Sequence, residues 1–164
     1  MATLLLLNGP NLDLLGTREP ALYGTETLSA ITTRLNERAR AAGHRLEHFQ
    51  TNAEADLIER VHRAGEGADA IVINPGAWGH TSLALADALV AVGVPYFEVH
   101  ISNVFARGGR RTELLLAPAA AGVIVGCGTH GYDLALTAAL NLLIERRDKR
   151  PGESHGHTQG QETH

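Results

Sequence analysis

The sequence predicts an α/β fold, a parallel sheet with helices on both faces. Three observations carry that prediction. Short apolar runs alternate with stretches of helical periodicity, and Gly-, Pro- or Asn-containing turns separate them. Polar side chains also collect just after three of the apolar runs, at the sheet edge where open α/β proteins bind ligands. At 164 residues and 44% hydrophobic content, the chain suits one domain with a substantial core.

The elements follow in order. Residues 3–7 read as the first strand, running into Asn8-Gly9-Pro10-Asn11. From Thr25, the positions Leu28, Ile31 and Leu35 recur at helical spacing, and Gly43 marks the stop. Residues 44–50 form a modest second strand. Leu57, Ile58 and Val61 then mark a helix on the charged segment 54–63. Residues 70–73 are a buried strand, turned by Pro75-Gly76 into an Ala/Leu-rich helix over about 80–92. The fourth strand is 94–99, where Pro95 is tolerated near the start, and the fifth is 123–125. A long last helix spans 132–146, with Leu134, Leu136, Leu140 and Leu143. Five strands in this pattern suggest, by analogy, a flavodoxin-like three-layer sandwich with strand order 2-1-3-4-5. Residues 1–148 read as a single catalytic domain, and the polar segment 149–164, with no apolar periodicity, as a disordered tail.

Composition removes several functions. A formal net charge of -4 argues against a nucleic-acid partner, although Arg107, Arg110 and Arg111 cluster locally. The single cysteine, Cys127, leaves no disulfide framework and no multi-cysteine metal site, and its apolar run predicts a buried structural thiol. The single lysine, Lys149, lies in the polar C-terminal region. That placement argues against a catalytic Schiff base and a Walker-type phosphate loop. No apolar run approaches the ~18–20 residues of a membrane span. The amino terminus lacks the basic region of a secretory signal, so a cytoplasmic protein is expected. Gly126-Cys127-Gly128-Thr129-His130-Gly131 matches G-x-G-x-x-G literally, but it follows the last strand, with no second βαβ unit to bind a ribose. Its glycines are read as a tight turn and close packing.

Candidate chemistry gathers after strands one, three and four. After the first come Asn8, Asn11, Arg18 and Tyr23; after the third Asn74, Gly76 and His80; at the fourth Glu98, His100, Ser102 and Asn103. A free tyrosine titrates near ~10, and a neighbouring guanidinium favours its phenolate, so Arg18 and Tyr23 read as an activated general base. Glu98 and His100 share one side of an extended chain, so the carboxylate can orient the imidazole. Each residue has a plainer reading as well: Asn8 and Asn74 as turn residues, His80 as part of a helix start, Arg18 as a solvated charge, and Glu98–His100 as a structural pair. A flavin or phosphoacceptor module on the same fold fits less well. Asn74 stands where a receiver needs an aspartate, and Asn8-Gly9-Pro10-Asn11 lacks a hydroxyl-rich phosphate loop.

These loops together resemble type II 3-dehydroquinate dehydratase. The blocks that carry the resemblance are Asn8 to Leu12, Gly16-Thr17-Arg18-Glu19-Pro20 with Tyr23-Gly24, Asn74-Pro75-Gly76-Ala77 with His80-Thr81-Ser82, Glu98 to Asn103, and Gly131-Tyr132 with Leu134-Ala135-Leu136. The resemblance implies dehydration of 3-dehydroquinate to 3-dehydroshikimate in the shikimate pathway, without metal or cofactor, in a homododecamer built as a tetramer of trimers. It implies Tyr23 as base with Arg18 activating it, Asn11 holding a water near an enolate oxygen, and His100 as acid with Glu98 as partner. It implies a substrate-binding set of Asn74, Gly76, His80, Ile101, Ser102 and Arg111, with Asp87 reaching a neighbouring subunit's site. The chain departs from the family pattern after Arg107, where an acidic and then an aromatic residue usually precede the substrate-binding arginine and this chain runs Gly108-Gly109-Arg110-Arg111, with Arg110 the alternative to Arg111, and at Trp78-Gly79, where threonine often precedes the histidine.

Overall fold

The computed structural model describes residues 1–149. Its strands are β1 (Thr3–Asn8), β2 (Arg45–Gln50), β3 (Ala70–Asn74), β4 (Tyr96–His100) and β5 (Gly122–Val125). All pair in parallel, in the order β2-β1-β3-β4-β5, as expected. The helices are α1 (Pro20–Tyr23), α2 (Leu28–Ala41), α3 (Glu54–Ala64), α4 (Leu83–Val92), α5 (Val104–Arg107) and α6 (His130–Asp148). Of the tail expected to be disordered, 149–164, residues 150–164 lie outside the described residues.

The sheet is apolar on both faces because helices cover both. On β1 the side chains alternate: Leu4 and Leu6 pack with Ile31, Leu35 and Leu136, whereas Leu5 and Leu7 pack with Leu57, Val61, Leu85 and Leu89. Fully burying one such leucine contributes roughly 1.5–3 kcal/mol before its entropy cost. These buried rows hold the strands in register, so Asn8 and Asn74 finish side by side at the carboxyl edge.

Local hydrogen bonding shifts several boundaries. The second helix starts at Leu28 rather than Thr25 because the Thr27 hydroxyl accepts from the Ala30 N–H at 3.1 Å. The fourth starts at Leu83 because the Ser82 hydroxyl accepts from the Leu85 N–H at 2.9 Å. Residues Gly76–His80 form a 3-10 turn ahead of it. Cys127 corrects the expectation of a buried thiol: it is exposed. It lies past the last paired residue of β5, an edge strand only half covered, so the apolar run leaves the core before reaching it.

Candidate active site

The floor of the cleft begins with two asparagines on adjacent strands. The Gly76 N–H donates to Asn74 Oδ1 at 3.1 Å, and Asn74 Nδ2 donates to the Tyr132 hydroxyl at 2.9 Å. That hydroxyl in turn donates to Asn8 Oδ1 at 2.6 Å. Asn8 and Tyr132 are fully buried, and Asn74 nearly so. Burial pushes the Tyr132 phenol up, against a weaker opposing pull from Asn74, so it remains a hydrogen-bond donor. Asn8 Nδ2 is left without a hydrogen-bond partner among the described residues.

The next strand supplies a histidine–carboxylate pair. Glu98 and His100, two residues apart on β4, point to one face, and His100 Nε2 lies 2.7 Å from Glu98 Oε1 with both groups buried. A carboxylate can only accept, so Nε2 carries the hydrogen and Nδ1 is the atom left for chemistry. Behind this pair, a Cβ on Gly79 would come within 2.8 Å of Pro75 Cγ and 3.1 Å of His100 Cε1. The departure to glycine thus lets the turn approach the imidazole closely. The glycine motif after β5 serves the same edge: the Gly126 and Gly128 N–H groups donate to the His100 and Ile101 carbonyls at 3.1 and 3.0 Å. Their donors are spent inside the protein, as the packing reading expected. His80 donates through Nδ1 to the Glu113 carbonyl at 2.8 Å, and its ring centroid lies 5.4 Å from that of His100.

The rim is carried by two single-turn helices. Tyr23 ends α1 and Arg107 ends α5, and Arg107 Nη1 donates to the Tyr23 hydroxyl oxygen at 3.0 Å and to Ser102 Oγ at 3.3 Å. Arg18 stands over the tyrosine ring, with Cζ 5.4 Å from the centroid. In the sequence, Arg107 stands out only as one of a local arginine cluster. The available signal was Asn103, whose side chain accepts from the Phe105 and Ala106 N–H groups and starts the helix that ends at Arg107. The other two tyrosines are held as phenols. Burial first, then Glu98, pushes Tyr96 up to about 12, and its hydroxyl donates to the Leu116 carbonyl. Among the chain's three tyrosines, only Tyr23 reaches the cleft beside guanidinium groups.

These groups line one cleft that is open to solvent. Asn11, Arg18 and Tyr23 enter it from the first loop, Asn74, Gly76 and His80 from the third strand's turn, and His100, Ile101, Ser102 and Arg111 from the fourth. Asn11 adopts a left-handed conformation, φ 66°, and its N–H donates to Asn52 Oδ1 at 2.8 Å. Two expected residues lie elsewhere. Glu98 sits behind His100, and Asp87 lies on the exposed face of α4 between the exposed Leu83 and Val90.

Comparison with known proteins gives a consistent result. The family model described as dehydroquinase class II matches residues 2–140. A 3-dehydroquinate dehydratase of Alkalilimnicola ehrlichii is 60% identical over 144 residues, covering 87% of this chain and 95% of that protein. The 3-dehydroquinate dehydratase 1 of Pseudomonas aeruginosa is 56% identical over 144 residues, covering 87% and 98%. The crystal structure of a type II dehydroquinase from Propionibacterium acnes superposes with a TM-score of 0.82 at 42% identity, covering 86% of this chain and 97% of that one.

Proposed function

The chain belongs to the class II dehydroquinase family, and we propose from that premise that it dehydrates 3-dehydroquinate to 3-dehydroshikimate in the shikimate pathway. Tyr23, as phenolate, takes the proton next to the ketone, and the electron pair left behind forms an enolate. The enolate then expels the ring hydroxyl, which leaves as water with a proton from His100 Nδ1. Tyr23 ends protonated and His100 neutral, and proton exchange with solvent resets both. The two groups answer two chemical obstacles: a ketone α-proton is weakly acidic, and hydroxide is a poor leaving group.

The single observation that carries the reading is the Arg107–Tyr23 contact of 3.0 Å in the cleft that also holds His100. A guanidinium donating to the phenol oxygen stabilises the negative charge that the base must bear, and Arg18 over the ring adds a second positive charge. Glu98 keeps the imidazole oriented through its contact to Nε2. Ile101 and Ser102 take the substrate carboxylate, Asn74, Gly76, His80 and Arg111 the ring hydroxyl side, and Asn11 a water near the enolate oxygen. We further take the enzyme to be a cytoplasmic homododecamer, a tetramer of trimers, in which Asp87 completes a neighbour's site. The exposed Leu83 and Val90 beside Asp87 support an interface on α4.

The test is direct. Adding 3-dehydroquinate produces the absorbance of a conjugated enone, and Tyr23→Phe lowers kcat by about 10²–10⁴-fold while a substrate analogue still binds. Full turnover by Tyr23→Phe removes Tyr23 as the base, and no product from folded wild-type protein removes the activity.

A further inference from the structure

The two shortest α-helices among the described residues are built alike. α1 and α5 are four residues each, and each is followed by a glycine in the same backbone state. Gly24 has φ 80°, ψ -177°, and Gly108 has φ 68°, ψ -171°. Positive φ with extended ψ is a region that essentially only glycine occupies. Each glycine closes its helix by donating its N–H to a carbonyl of that helix, Pro20 at 2.8 Å and Phe105 at 3.3 Å. The residues just before the two glycines are Tyr23 and Arg107, the pair that meets at 3.0 Å.

Steric crowding does not explain the glycines, because a Cβ at either would meet no atom within 4 Å. The backbone does. A single helical turn is too short to hold itself in place, so the chain's direction on entry and exit sets where its last side chain points. An L-residue at either position relieves its strain by rotating φ to negative values. That rotation redirects the exit and carries the last turn with it.

We propose that Gly24 and Gly108 are matched positioning residues for the dehydration, each holding one partner of the Tyr23–Arg107 contact through its glycine-only exit from a single-turn helix. The proposal rests on the reading of Tyr23 as the base. It also gives the departure at Gly108 a function: in this chain the exit after Arg107 is fixed by backbone conformation.

Steady-state kinetics of the full chain test it through Gly24→Ala, Gly108→Ala, Arg107→Ala and the double variant Gly108→Ala/Arg107→Ala. Each glycine variant is expected to lose kcat on the order of tenfold, with KM changed less than about threefold and the thermal midpoint close to wild type. In the Arg107→Ala background, Gly108→Ala then removes nothing further, because it acts through a side chain already gone. Wild-type kcat in both glycine variants overturns the proposal, as does a loss that simply multiplies with that of Arg107→Ala. Tyr23→Phe run alongside separates the two ideas. Its full activity defeats the base assignment, whereas its inactivity beside fully active glycine variants defeats only the positioning.

Discussion

The floor and the rim of the cleft hold their polar side chains by different means. On the floor, Asn8, Asn74 and His100 are the last residues of buried strands, and Tyr132 and Glu98 hold them through short bonds among buried groups. Such bonds are strong where water is absent, and leaving one partner unmade there is expensive. On the rim, Tyr23 and Arg107 are half-exposed and depend on one charge-assisted contact and two backbone exits. The difference suits the two tasks. On the proposed function, the tightly bonded floor faces the ring and its hydroxyls, and the more loosely held rim carries the proposed base Tyr23.

The sharpest way to break the comparison is on the rim. Arg107→Ala removes the one direct donor to Tyr23 among the described residues and is expected to lower kcat/KM by about 10²-fold, with stability within about 0.5 kcal/mol of wild type. Arg18→Ala, which leaves that donor in place, is expected to cost about tenfold, the loss of one screened charge over the ring. Kinetics of the two variants side by side check the ranking, and the reverse order would make Arg18 the principal partner.

On the floor, Tyr132→Phe takes one hydroxyl from between two buried amides. Asn74 Nδ2 and Asn8 Oδ1 both lose their partner. Denaturant unfolding should show a loss of about 1–3 kcal/mol, and KM should rise about tenfold with a smaller change in kcat. A stability loss with unchanged KM would leave Tyr132 a structural residue only.

This division also explains what could be read from the sequence. The floor was legible because buried strands have a strong period, and residues that follow them fall on a known edge. Asn74, Glu98 and His100 were placed from Ala70-Ile71-Val72-Ile73 and the run through Val99 alone. The rim was less legible, since four-residue helices have no periodicity and Arg107 looked like one arginine among three. Its meeting with Tyr23 joins residues 84 apart in sequence, a pairing that no local pattern encodes. Tyr132 stands out in the sequence only as part of a motif, because its hydroxyl acts across the sheet edge rather than along the chain.

Away from the cleft, one charged cluster makes a smaller and pH-dependent contribution. Arg34 and Arg38 on α2 bind the Asp133 carboxylate in the first turn of α6, each at 2.8 Å, and Arg34 also pairs with Glu26. Burial opposes ionisation of Asp133, but the two guanidinium groups outweigh it and hold the carboxyl below its usual range. A carboxyl lowered on folding stabilises the protein above the unfolded-state value, ~3.9, and loses that contribution as pH falls through the lower folded value. Asp133→Asn should therefore destabilise at neutral pH and converge with wild type in acid. Thermal unfolding across pH 3–7 would check this, and a pH-independent difference would assign the loss to packing instead.

The smallest effect is expected between floor and edge, in the loop from β5 to α6. That loop meets the site through its backbone, since the Gly126 and Gly128 N–H groups hold the His100 and Ile101 carbonyls. Cys127 between them is exposed and makes only a weak 3.9 Å contact to the Val125 carbonyl. Cys127→Ser should leave stability within about 0.5 kcal/mol of wild type and turnover unchanged, and a thiol reagent should label the native chain without loss of activity. Turnover lost on labelling would mean that this loop reaches the floor through its side chains too, and the backbone-only account of it would have to be given up.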